Sequence, residues 1–155
     1  MSQQGTPLSR VFPVPLLVLC AAAAWAENAA PPQAAREKSL FATAYVTEKL
    51  WVWQNRLNLS DWKIDILMSH PADLKPKTLG NIHWDADRKQ ATLRVLDASD
   101  YKLPLREMLD DMEFTVVHEL IHLELASLPR SEASRREEEH AVNRIAAALL
   151  RLARR

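Results

Sequence analysis

The stretch Glu113–Leu125, EFTVVHELIHLEL, decides the fold. Read as one helix, it carries apolar residues on every side, yet His118, Glu119 and His122 stand in its middle. The apolar character extends back to Leu105 and forward to Leu128. Pro104 is suited to a first helical position and Pro129 to a stop. A helix that is apolar all round is a central, buried one, so the rest of the chain must wrap it.

Working outward, Glu132 to about Leu152 reads as an amphipathic helix, with Val142, Ile145, Ala146, Leu149 and Leu150 on one side. Upstream, WKIDILM (62–68) alternates apolar and charged residues as a half-buried strand does. GNIHW (80–84) and QATLRVLD (90–97), joined by the turn DADRK, pair as a hairpin. Ahead of them, Leu40, Phe41, Ala44, Leu50, Trp51 and Leu57 recur at helical spacing, predicting a long helix over 34–57 that ends at the turn residues NLSD. The expected fold class is α+β: a long N-terminal helix, a small sheet of three to four strands, the central helix and a C-terminal helix.

The chain has 155 residues, 48% hydrophobic and 26% charged, which suits one compact domain. Its 20 basic and 20 acidic residues balance, and no basic face of the kind a nucleic-acid binder needs is visible, so no nucleic-acid partner is expected. Residues 1–26 differ in character. Arg10 precedes the apolar run VFPVPLLVLCAAAAWA, which ends Ala24-Trp25-Ala26, the pattern of a signal peptide cleaved after Ala26. A retained anchor is the competing reading, but Val11–Ala24 is 14 residues with two prolines, short of the roughly 20 a span requires. Lipidation at Cys20 is disfavoured by the bulk of Leu19. The expectation is an exported protein, periplasmic or secreted, with 27–33 a proline-bearing linker and 34–155 the domain. Cys20 is the only cysteine, so that domain has no disulfide and depends on its core.

His118 and His122, four apart, stack on one helical face and can share a partner. Neutral imidazole is the commonest Zn²⁺ ligand. Glu119, about 100° round the helix, can flank a metal and act as a base toward its water, the H-E-x-x-H arrangement of zinc peptidases. The competing reading is a surface patch in which Glu119 and His122 pair. Val116, Val117, Leu120, Ile121 and Leu123 argue against it, because burying the trio without partners costs several kcal/mol, on the order of 2–7 for each polar group. Zinc needs a third protein ligand, with the fourth place left open. Glu139 shares the buried face of the last helix with Val142 and Ala146; Glu138 is the runner-up. His140 points elsewhere, as a possible hydrogen-bond donor to the transition state. Acidic residues at Glu137–Glu139 also suit the first turns of a helix on dipole grounds alone.

HELIHL followed by E-x-x-V-N-x-I-A-A-x-L-L resembles the gluzincin metallopeptidases, the small single-domain ImmA/IrrE-like group in particular. The resemblance implies a zincin-like minimal core, Zn²⁺ as cofactor, His118 and His122 as ligands, Glu139 as the third ligand and Glu119 as catalytic base. The substrate would be a peptide or protein, held on an edge strand of the sheet; ATLRV (91–95) is the strand proposed for that role, with an ordinary core strand as the alternative. Ala is usual where Val142 stands, and the family pattern transfers no oxyanion-stabilising Tyr or His; Tyr101 is the candidate from this sequence. Trp51, Trp53, Trp62 and Trp84 read as core or core-rim packing, His70 as a surface residue, and His83 as a strand position with a cleft-lining alternative. A non-catalytic zincin-fold binding module and a helical interaction protein with a coincidental motif are the alternatives to an enzyme.

Overall fold

The computed structural model describes residues 33–129 and 131–155. The leader reading for 1–26 and most of the linker lie outside the described residues. Among the described residues there are three helices, α1 (Gln33–Arg56), α2 (Leu105–Glu124) and α3 (Glu132–Ala153), and three strands, β1 (Lys63–Ser69), β2 (Gly80–Asp85) and β3 (Gln90–Leu96); α2 packs against β2 and β3 and against the other two helices. The fold is α+β, with a small mixed sheet. No described helix is long and apolar enough to cross a membrane.

β2 and β3 form the expected antiparallel hairpin, with Ile82 opposite Leu93 and Trp84 opposite Ala91. β1 lies parallel to β3, giving the order β1-β3-β2. β3 is therefore the middle strand, and its peptide groups are used on both sides. ATLRV cannot be the substrate-holding edge; the core-strand alternative is the one observed. The edge that meets α2 is β2. Leu96 N–H donates to Leu79 C=O at 2.8 Å. Since pairs alternate along an antiparallel ladder, that contact sets Asn81, His83 and Asp85 toward β3. Gly80, Ile82 and Trp84 then turn their peptide groups to the outer edge.

α2 is buried round most of its circumference, from Met108 and Met112 through Val116, Val117, Leu120, Ile121 and Leu123. It ends at Glu124, short of the expected Leu128, and a 3₁₀ turn (Leu125–Ser127) completes the segment. α3 is started by a capping box, Ser131 with Ser134, and buries Val142, Ala146 and Leu150 at four-residue spacing. Ile145, expected inside, is 43% exposed.

α1 differs most from the sequence reading. Leu40, Phe41 and Trp51 face outward, while Ala42, Val46, Leu50 and Trp53 form the buried stripe. A polar contact accounts for the choice. Trp53 Nε1–H, deep in the core, donates to Glu113 Oε1 at 2.9 Å, and Tyr45 Oη donates to Glu113 Oε2 at 3.2 Å. A buried indole N–H without an acceptor is destabilising, and Glu113 on α2 supplies that acceptor only to this face of α1. Trp53 and Trp62 are core and Trp84 is at the rim, as expected; Trp51 is on the surface.

Gly80 fixes how closely β2 approaches α2. A Cβ there would lie 2.5 Å from Thr115 Cγ2 and 2.7 Å from Arg94 O. Neither neighbour can retreat without moving β3 or the helix that carries the histidines. Gly80→Ala is expected to destabilise the fold by about 1–3 kcal/mol, read as a lower urea midpoint at unchanged slope; an unchanged midpoint contradicts the close approach.

Candidate metal centre

α2 and α3 pack side by side and bring the predicted residues to one point. His118 Nε2 and His122 Nε2 are 3.1 Å apart. Glu139 reaches across from α3, Oε2 at 3.4 Å from His118 Nε2 and Oε1 at 3.3 Å from His122 Nε2. Donors at the corners of a zinc tetrahedron with bonds of about 2.0–2.2 Å stand about 3.3–3.6 Å from one another. The two Glu139 distances belong to different oxygens; with one atom taken from each residue, the three candidate donors lie within 4.8 Å of one another.

The outer ring nitrogens explain why the inner ones face each other. His118 Nδ1 lies 3.2 Å from Asn143 Oδ1, and His122 Nδ1 lies 2.8 Å from Glu138 Oε1. Both partners offer an oxygen to Nδ1, which leaves each Nε2 turned toward the centre. A carboxylate oxygen joins them there. Two imidazole nitrogens and a carboxylate thus converge, a donor set that could hold a cation. Burial, followed by the neighbouring His122, holds the His118 pKa below the usual imidazole value and favours the neutral, ligating form. The residues present fit Zn²⁺: two imidazoles, one carboxylate, and partners of the kind that orient metal-bound histidines.

Glu138, the runner-up third ligand, is placed on the far side of His122 and orients that ring. Glu137 and His140 are exposed on α3 outside the cleft. Removing Glu138 leaves the donors in place but frees the His122 ring, so Glu138→Ala is expected to weaken zinc binding by about 10- to 100-fold, measured by competition with a chelating dye. Undiminished affinity contradicts the orienting role.

Glu119 stands beside this cluster, 8% exposed. Burial pushes its carboxyl pKa up from 4.5 to about 7, against the lowering effects of His122, Lys75 and a hydrogen bond from Ile82 N–H. That hydrogen bond ties the carboxylate to the outer edge of β2. The cleft between β2, α2 and the start of α3 is lined by Ile82, His83, Trp84 and Phe114 as well as the ionisable groups. His83 is thus both a strand residue and a cleft residue. Tyr101, the oxyanion candidate, is 9% exposed and does not line this cleft; Asp111 lies near its hydroxyl instead. His70 is a surface residue, 2.7 Å from Asp100.

Asn143 and the Ile82 amide were not assigned roles from the sequence. Asn143 had a usable signal, since it follows Glu139 by one helical turn. The Ile82 contact had none, because it depends on how the hairpin seats against α2. Compared with family models, with curated proteins and with solved structures, the chain returns no match.

Proposed function

We propose that the chain is an exported zinc-dependent metallopeptidase with a zincin-like core of the gluzincin type, acting on a peptide or protein substrate outside the cytoplasm. One observation supports the reading: His118, His122 and Glu139 each offer a ligand atom within 4.8 Å of the others, beside the buried carboxyl of Glu119. The export part rests on the leader pattern of residues 1–26 alone.

His118, His122 and Glu139 would hold Zn²⁺, which would supply a Lewis acid able to bring the pKa of a water toward about 7 and to polarise a carbonyl. Glu119 takes a proton from the attacking water and later delivers it to the leaving amine. A base works best when its pKa is close to the working pH, and burial tunes Glu119 to that range. The outer edge of β2 offers backbone pairing to an extended substrate, which lays the scissile bond across the end of the Glu119 side chain. Asn143 and Glu138 keep the imidazoles from turning. A purely binding module needs no base at Glu119, which favours the enzyme.

Hydrolysis of a diverse peptide mixture by the purified chain, followed by mass spectrometry, tests this. Cleavage that stops on chelation and returns with added zinc is expected. A zinc-loaded protein that cleaves nothing contradicts the peptidase reading and leaves the binding module.

A further inference from the structure

Resting on the peptidase reading, we propose that the cleft selects peptide segments with acidic side chains, held between Lys75 and Lys77 on one wall and Arg135 on the other. The charges lining the cleft are sorted by role. All three carboxylates, Glu119, Glu138 and Glu139, belong to the candidate metal centre. Among the described residues, every other charged lining residue is a cation: Lys75, Lys77 and Arg135. With a divalent ion in place, the carboxylates are largely compensated and the remaining field is positive. All three cations are exposed, and none makes an ion pair or side-chain hydrogen bond with another described residue.

Their placement is built. Lys75 and Lys77 sit on the loop that delivers the chain into β2. The Lys75 carbonyl accepts from Thr78 N–H at 3.1 Å and from Thr78 Oγ1 at 2.8 Å, closing a tight turn. Within that turn Lys77 holds φ at 66°, a left-handed conformation unfavourable for a side-chain-bearing residue. The turn places Lys75 and Lys77 together at the entry to β2, where both line the cleft. Lys75 is close enough to Glu119 to act on its carboxyl. Arg135, in the first turn of α3, lies one turn before Glu138 and Glu139 on the facing wall. A Glu or Asp side chain entering between the walls meets a guanidinium fork on one side and ammonium groups on the other. Trp84 and Phe114 cover the apolar stems of the same segment.

The test separates this proposal from the peptidase reading by measuring binding. Fluorescein-labelled decapeptides, identical except for a pair of central positions bearing Glu, Gln or Lys, are titrated against the full chain carrying Glu119→Gln, after zinc incubation and dialysis. Fluorescence anisotropy is expected to show the Glu peptide binding about tenfold or more tighter than the Lys peptide at low salt, with the gap narrowing at about 0.5 M salt. Lys75→Gln, Lys77→Gln and Arg135→Gln together are expected to erase the preference, and the corresponding Glu changes to invert it. Equal affinities, a preference for Lys, or a preference untouched by these surface changes overturns the proposal. Zinc content is measured on the same samples. An acidic preference without bound zinc keeps the selective cleft and removes the peptidase; bound zinc without a preference does the reverse.

Discussion

Glu119→Gln is expected to abolish most turnover and at the same time stabilise the metal-free protein. The variant keeps the shape of the side chain and removes its ability to accept a proton. Loss of a positioned general base lowers kcat by about 10²- to 10⁴-fold. Zinc content is expected to be unchanged, because Glu119 is not among the converging donors. The stability effect follows from burial. The folded-state carboxyl pKa is raised from 4.5 to about 7, so the folded protein holds this proton more tightly than the unfolded chain. The favourable contribution is full below about pH 4.5 and is lost as pH rises through about 7. A shift of that size corresponds to about 3 kcal/mol. Gln carries no such charge. Urea unfolding in the presence of chelator is expected to show little difference between the two proteins near pH 4.5 and an advantage for Glu119→Gln of up to about 3 kcal/mol near pH 8. Parallel pH profiles would mean that the Glu119 carboxyl is not buried as described.

His122→Ala is expected to have the largest effect on metal binding. His122 contributes one donor, contacts the other two through its Nε2, and is anchored on its far side by Glu138. Zinc bound to a full protein site is worth about 10–16 kcal/mol; removing one of its ligands is expected to reduce affinity by about 10³-fold or more. Binding also stabilises the folded state, by about 2.7 kcal/mol when free zinc is 100 times the dissociation constant. Added zinc is therefore expected to raise the melting temperature of the wild type and to leave His122→Ala unmoved at the same concentration. Equal responses would show that zinc acts elsewhere on the chain.

The trio on α2 was legible because it is local: four-residue spacing and an apolar surround can be read from thirteen consecutive letters. Glu139 was legible in part. Helical phase pointed to the buried face for Glu139, yet its side chain is 56% exposed and Glu138, at 16%, is the more enclosed of the two. The distinction rests on how α3 is rotated against His122, a contact between residues 16 apart in sequence. The hairpin was readable from alternation and its turn. The order of the sheet was not, because the parallel pairing of β1 with β3 is a choice made by packing and not by either strand. α1 shows the same limit. It has two apolar stripes, and Glu113, far along the chain, decides which one turns inward by accepting from Trp53 and Tyr45.

X-ray absorption at the zinc edge of the purified, zinc-titrated chain tests the centre most directly. The expected spectrum has a first shell of nitrogen and oxygen only, at about 2.0–2.2 Å, with outer-shell scattering from two imidazole rings that falls to one ring in His122→Ala. A chain that retains no zinc after dialysis, or a bound zinc whose spectrum lacks imidazole scattering, would contradict the site.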